Sequence, residues 1–474
     1  MTPAPPPPSP GRRLALALVV TLGIPLALPL ALVGCAAPEV EPEGPDPWFM
    51  HAPPAWSQGA APIADDGAPL PTTLTLRAAI AETVARSRVL RAGAEDVEQA
   101  RADQVTAGLR PNPTLMSAAT LLPLRRFTER RPGGPPQFDA AVSYPLDWLV
   151  FGKREAAMES ARKATRVADA TVADLARQEV AATIATFYDV LEARALVELS
   201  GEQLEDLDRL LALTERRAGI GAAGQVDVDR VRLAHLEGRL QLQQDALTLA
   251  AAEASLRALV GRTPEEPEFE VDGDLLPPVG EPRLDPGELR QLAERHRPDL
   301  LAARREVERA EAELVRERRE ARPELAFELG LTYQYQEPIG DPDAPSFGLG
   351  FNLELPLFDR NQGNIRRAAS QVRQAEHLLR ALRARLDAEL TVARRALELA
   401  RAAATGLGDT QVEAARSVRD RIEAAHRIGA RSVLELIDAQ MAYREVLRQQ
   451  ASRRADYWRA IHQLNAVLGR EVLP

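Results

Sequence analysis

The chain has 474 residues, enough for two or three ordinary domains, but aromatics make up only 4% and charged residues reach 27%, so large aromatic-centred cores are excluded. Charges of both signs run through Ala/Leu/Arg/Glu-rich stretches, a composition of long helices and coiled coils. A net charge of -10 argues against a nucleic-acid partner, and a single cysteine, Cys35, rules out a disulfide framework or thiolate metal site within one chain.

Arg12 and Arg13 precede an apolar run over 14–33 that ends in Leu32-Val33-Gly34-Cys35. A basic start, an apolar centre and small residues before a cut site make an export signal, so residues 1–34 read as a signal peptide. The Leu-x-Gly-Cys ending resembles the bacterial lipoprotein signal, which implies a covalent lipid, such as palmitate, on Cys35. The competing reading is a membrane anchor, since about 20 apolar residues span a bilayer. Pro25 and Pro29 weaken such a helix. One acyl chain binds a membrane weakly, so a second attachment is expected. Residues 35–73 are rich in Pro, Gly, Ala and Asp and read as an extended linker.

The remainder repeats at a spacing of roughly 210 residues. Leu90, Val97, Ala100 and Pro113 correspond to Leu300, Val307, Ala310 and Pro323. Pro145-Leu146 and Gly152 correspond to Pro356-Leu357 and Gly363; Gly221, Asp227 and Gly261-Arg262 correspond to Gly429, Glu435 and Gly469-Arg470. Residues 74–262 form the first copy, 263–286 a Pro-rich linker, and 287–474 the second copy. Each copy has a helix (76–108, then 285–322), two short strands, a very long helix, a Gly-containing turn and a final helix. Strand patterning is clearest where Leu325, Phe327, Leu329, Leu331 and Tyr333 alternate with polar or small residues, as do Phe347, Leu349, Phe351, Leu353 and Leu355. Phe138, Ala140, Val142 and Tyr144 alternate similarly, and 115–122 is a weaker strand. One apolar and one polar face per strand suits a transmembrane β-barrel, against a small soluble sheet packed on helices.

Ile365, Val372, Leu379 and Leu386 recur every seven residues beside Ala368, Ala375 and Leu382, a coiled-coil seam. No proline interrupts 152–263 or 364–472. A continuous helix over 152–219 extends about 100 Å. Four strands cannot close a barrel, and an open edge is not tolerated in lipid. Two chains give about the eight-strand minimum, with a filled lumen; three give about twelve, with room for a passage.

These features, with "LPLFDRNQGNI" at 355–365, "IGARSVLELIDAQ" at 428–440 and "NAVLGR" near the C-terminus, resemble the TolC-type outer-membrane efflux family over nearly the whole mature length. The "FDRNQGN" wording is most similar to its heavy-metal efflux branch. The resemblance implies a mainly α fold with a small β part: long antiparallel coiled-coil helices plus four strands per chain. It implies a homotrimer with a twelve-stranded outer-membrane barrel over a twelve-helix periplasmic tunnel. It further implies outer-membrane lipid, a periplasmic adaptor (membrane fusion) protein and an inner-membrane RND-type pump as partners, in a Gram-negative bacterium.

The glycine turns lie one long helix away from the strands and form the expected periplasmic tip. By resemblance, Ile220, Gly221, Ile428, Gly429 and Arg431 match the adaptor-docking region, and Glu435 and Asp438 match the constriction carboxylates. Asp227 corresponds to Glu435, whereas Arg230 stands where Asp438 does. Rings of carboxylates at a narrow mouth would favour cations; the alternative is that these four are solvated coiled-coil charges. None of the six histidines pairs at metal-ligand spacing, and no nucleotide loop, Ser–His–Asp arrangement or E-x-x-H pair is readable. The expected function is passive conduction, with no enzyme activity, no metal site and no cofactor beyond the lipid. Heavy-metal cations lead as cargo; the same duct in multidrug efflux or type I protein secretion is the alternative, followed by a pore-less structural lipoprotein and a soluble metalloenzyme.

Overall fold

Helices and strands follow the order the duplicated pattern requires. The computed structural model describes residues 70–122, 124, 134–277 and 285–473. The signal, Cys35 and most of the 35–73 linker lie outside the described residues. Strand β1 (Thr73–Thr75) pairs in parallel with β4 (Glu270–Asp272), tying the start of the first copy to the chain that leaves it. Between them come α1 (Leu76–Arg86), α2 (Arg88–Gly108), β2 (Thr114–Thr120), β3 (Gln137–Pro145), a short α3 (Asp147–Val150), α4 (Lys153–Gly219) and α5 (Gln225–Leu259). The second copy supplies α6 (Pro286–His296), α7 (Pro298–Glu320), β5 (Glu324–Gln334), β6 (Ala344–Glu354), α8 (Gln362–Ala404), α9 (Leu407–Arg427) and α10 (Val433–Leu468).

Three helices are interrupted where the sequence pattern reads through. The helix expected over 76–108 breaks at Ser87, whose hydroxyl caps the amide of Leu90 at 3.4 Å. Its counterpart breaks at Arg297, because Pro298 has no N–H and pushes the residue before it into extended backbone. The long helix of the second copy breaks at Thr405–Gly406, whereas α4 runs unbroken for 67 residues.

The four longer strands form an antiparallel sheet in the order β2-β3-β5-β6. Its register lines up Leu115, Val142, Leu329 and Leu349 in one row, and Tyr144, Phe327 and Phe351 in the next. Asp139 and Glu328 project from the opposite face with Glu324 and Glu354, and no strand of this sheet carries a Lys or Arg. Phe347, Leu349 and Phe351 are 65–78% exposed, so no helix of the described chain covers the apolar face. A soluble sheet packed on helices would have buried them.

The helices share three core clusters. One joins α1, β1 and β4 to α4 and α5 through Ile80, Phe187, Leu191 and Leu256. A second joins α6, α8 and α10 through Leu289, Leu386, Leu397, Ile461 and Leu464. The third, nearest the glycine turns, holds Leu207 and Leu210 of α4, Val231 and Ala234 of α5, and Val433, Leu436 and Ile437 of α10. Each fully buried Leu, Ile or Phe contributes about 1.5–3 kcal/mol. Ala368 and Ala375 of the heptad seam are buried as expected, and small residues there let helices approach closely. Among the described residues no helix is long and apolar enough to cross a membrane.

Candidate gate and docking tip

Each copy reverses direction through the same glycine device. Gly221 (φ 75°) and Gly429 (φ 78°) take the left-handed backbone that closes a helix end. The amide of Ala222 donates to the Arg217 carbonyl at 2.8 Å, and that of Ala430 to the Ala425 carbonyl at 2.9 Å. Ile220 and Ile428 stand 81% and 82% exposed at the apices, an apolar pair that nothing in the described chain covers. The two turns are neighbours, because the helices that follow them share the third core cluster.

The return helices begin on carboxylate caps. Ser432 accepts from the Glu435 amide at 3.3 Å, and the Ser432 amide donates to Glu435 Oε2 at 2.9 Å, a reciprocal capping box. Arg431 adds an ion pair to Glu435 at 2.6 Å. The Ser432 amide, then the Arg431 guanidinium, hold the Glu435 carboxyl below the usual carboxylate range. At the equivalent place in the first copy, the Gly224 amide donates to Asp227 Oδ2 at 3.3 Å. The two residues matched by the repeat therefore share a local job, that of neutralising orphan amides at a helix start. Arg230 and Asp438 lie one turn further along, both exposed, with no hydrogen bond or ion pair among the described residues.

Sequence reasoning missed the arginines of α10 that reach the first copy. Arg444 pairs with Glu202 at 2.5 Å and Asp206 at 2.8 Å; Arg448 forks onto both oxygens of Asp245 at 2.6 and 2.9 Å and bonds Ser200; Arg459 pairs with Asp189 at 2.8 Å and with Glu192. Asp245 is 5% exposed. Burial acts to raise its pKa, but hydrogen bonds from Arg448, Ser200 and Gln241 outweigh that and hold it below the usual range. The only readable signal was Arg444 and Arg448 four apart on one helix face.

Among the described residues no three His, Cys, Asp or Glu side chains converge as a metal-binding group. His235 pairs with Asp208 at 2.7 Å, His426 Nδ1 faces the Arg431 carbonyl at 3.0 Å, and His462 stacks with Tyr188 and Trp458. Burial pushes the His462 pKa down to about 4 and that of Tyr188 up.

The family described as outer membrane efflux protein matches residues 79–262 and 289–470, one stretch in each copy. The chain is similar to the cobalt-zinc-cadmium resistance protein CzcC of Cupriavidus metallidurans, 27% identical over 84% of this chain and 90% of that protein. It is also similar to the pyoverdine export outer membrane protein OpmQ of Pseudomonas putida, 26% identical over 81% of this chain and 83% of that one. Among solved structures, the outer-membrane channel OprN superposes with a TM-score of 0.70 at 21% identity, covering 83% of this chain and 89% of that chain.

Proposed function

The chain belongs to the outer membrane efflux protein family, and from that premise we propose that three copies close into one outer-membrane duct that passively conducts solute received from an inner-membrane pump through a periplasmic adaptor. The observation that carries this reading is a chain left open on the same two sides at every level. Around α4, the packing order near the sheet is α2–α4–α7–α8, and near the tip it is α5–α4–α10–α9. The sheet order is β2-β3-β5-β6. One flank is always first-copy (β2, α2, α5) and the other always second-copy (β6, α8, α9). Two different edges that must meet give a head-to-tail ring. Four strands from each of three chains make a barrel of about twelve strands with a passage. Exposed apolar residues line both flanks: Leu233 and Leu240 on α5, and Val418 on α9.

Leu233 and Val418 stand at nearly the same rise above their tip glycines, so Leu233→Cys with Val418→Cys should form disulfide-linked dimers and trimers between protomers. Either single variant should not. Absence of cross-linked species in the double variant would remove the ring.

In this reading Ile220, Gly221, Ile428, Gly429 and Arg431 present the adaptor-docking surface. Asp438 and Arg230, with no hydrogen bond or ion pair among the described residues, are the charges available at the mouth, while Asp227 and Glu435 hold the tip in shape beside them. Cys35 carries the lipid, and Cys35→Ala should abolish acyl labelling. Heavy-metal cations delivered by an RND-type pump are the favoured cargo. The purely acidic polar face of the sheet and the similarity to a cobalt-zinc-cadmium resistance protein both support it. The similarity to a pyoverdine export protein supports a second reading, an organic solute through the same duct. Growth of a deletion strain across zinc, cobalt, cadmium, copper and lipophilic drugs separates the two, with the restored gene as control. Selective metal sensitivity supports the first; drug sensitivity alone keeps the duct and discards the metal assignment.

A further inference from the structure

The chain crosses between helices and sheet four times, at 109–113, 146–152, 321–323 and 355–361. These crossings form one rim at the helix-side end of the sheet. Their chemistry differs from that of the strands, which carry no Lys or Arg.

The first-copy half of the rim is organised on Trp148. Its indole N–H donates to the Pro145 carbonyl at 2.9 Å, which fixes the ring at the end of β3. Two guanidinium groups stand on that ring, Arg110 at 5.9 Å and Arg154 at 5.8 Å from its centre. Arg154 is also bound to the Gly108 carbonyl at the end of α2, with Nε at 2.7 Å. Arg110 is exposed and has no hydrogen bond or ion pair among the described residues. Around this pair Leu109, Leu149 and Val150 are exposed, Leu149 by 65%. They continue the apolar face of the sheet, where Leu115 is exposed as well.

The carboxylates of the rim are directed elsewhere. Asp147 pairs with Lys153 at 2.8 Å, Glu320 also faces Lys153, and Glu317 takes Arg316. Asp359 accepts from the Asn361 amide at 2.9 Å. Glu155 lies across Gly152 from Arg319, whose guanidinium donates to the Phe151 carbonyl at 3.0 Å. None of them reaches Arg110, Arg154 or Arg360 within an ion-pair distance among the described residues. Two like charges on one indole, with no counter-ion beside them, suit an anion from outside the chain.

The second-copy half supplies the complement. Leu355, Leu357 and Phe358 are exposed, Phe358 by 90%, and Arg360 beside them donates only to the Leu357 carbonyl, at 3.3 and 3.2 Å. In a head-to-tail ring the first-copy flank of one protomer meets the second-copy flank of the next. Phe358 and Arg360 of the neighbouring protomer then close on the Arg110–Trp148–Arg154 cluster.

We propose that each of these seams binds one anionic phospholipid: the guanidinium groups of Arg110, Arg154 and the neighbouring Arg360 take the phosphate, Trp148 lies at the glycerol level, and Leu109, Leu149 and Phe358 meet the acyl chains. An indole anchored at a polar boundary, cations beside it and aliphatic side chains beyond it match the layers of a bilayer surface. The excess of guanidinium over carboxylate selects an anionic headgroup over a zwitterionic one. The site rests on the reading of the chain as a ring in the outer membrane.

Native mass spectrometry of the purified full-length trimer, titrated with phosphatidylglycerol or phosphatidylcholine, tests it. Phosphatidylglycerol should saturate at three per trimer and bind at least tenfold more tightly than phosphatidylcholine. Arg110→Gln should weaken phosphatidylglycerol about fivefold, and adding Arg360→Gln about twentyfold in all, with phosphatidylcholine unchanged. Arg383→Gln, roughly 30 Å along α8, is the control and should change neither. Equal affinity for the two lipids, or an unchanged preference in the double variant, overturns the site. Displacement of the lipid by inorganic phosphate at about 10 mM overturns the lipid assignment in favour of a free anion. Should the double variant fail to assemble, the unsubstituted trimer decides: its preference should fall at least fivefold between about 50 and 500 mM salt, and a salt-independent preference overturns the guanidinium contact. An unsubstituted chain that forms no trimer refutes the duct, whereas a trimer without lipid preference refutes the site alone.

Discussion

His462 and Asp245 show how single side chains carry the attachment between copies. His462 forms a ring cluster with Tyr188 and Trp458, which also stack on each other, and the Tyr188 hydroxyl lies 3.3 Å from its Nε2. Its pKa falls from 6.5 to about 4 in the folded chain. Between those values the unfolded chain binds the proton more readily, so folded stability drops as pH falls through that window and is complete above it. The loss should reach about 2 kcal/mol at pH 5. His462→Phe should flatten this part of the profile, read as the difference in melting temperature between pH 7 and pH 5. A variant with an unchanged pH slope would assign the acid sensitivity elsewhere. For Asp245 the depressed pKa places its contribution above the ordinary carboxylate range, with loss at lower pH than for His462. Asp245→Asn leaves Arg448 half-buried without its counter-charge and should cost about 3 kcal/mol at neutral pH. Neither residue stands out in the sequence. Tyr188 and His462 are 274 positions apart, and only the fold of the duplicated chain brings such pairs together. Gly221 and Gly429 are legible because positive φ leaves glycine few substitutes. Asp227 and Glu435 are legible as a matched pair, but the carboxylate alone does not say whether it faces a lumen or its own helix start.

At the scale of elements, the tip is built from short-range devices whose removal can be felt separately. Ser432→Ala deletes the hydroxyl that receives the Glu435 amide and should cost about 1 kcal/mol. Because the loss is confined to the first turn of α10, amide hydrogen exchange should accelerate over that turn and leave the sheet unaffected. Acceleration throughout the chain would show that the cap supports more than the turn. This cap is legible in the sequence, since Ser-x-x-Glu ahead of an apolar run is a helix-start pattern. The break before Pro298 has a signal in the sequence, the proline that removes a donor and restricts the residue before it, but the helical pattern over 285–322 runs through it. The break at Gly406 has no such signal, because an isolated glycine is tolerated inside many helices. What makes it a break here is Gln450, which bonds the Ala404 carbonyl on one side and Asp409 on the other from a helix that follows the next turn.

For the whole molecule, the period-two pattern of the sequence assigns the apolar residues of the strands to one face, and the structure leaves that face uncovered. Four strands per chain cannot close alone, and the matching open flanks of sheet and helices point to the same ring. The composition of the opposite face as a surface is not legible in the sequence, because it depends on register. Pairing aligns Ser143, Glu328 and Gly350 in one row and Glu324 opposite Glu354 in another, so the carboxylates gather toward one end with only small or polar neighbours and no basic residue on any of the four strands. In a closed barrel this face is the lumen, and low-dielectric walls focus its field. Conduction should therefore favour cations at low salt. Glu328→Gln with Glu354→Gln should lower the cation-to-anion permeability ratio roughly threefold, measured as a shift of reversal potential in a salt gradient. The effect should shrink at 1 M salt, where the screening length is about 3 Å. These positions lie one long helix away from Asp438, so a variant there should change the conductance of the narrow mouth without reproducing the selectivity change. If Asp438→Asn alone abolished cation preference, the selective element would be the tip rather than the barrel, and the acidic sheet face would have no part in choosing the cargo.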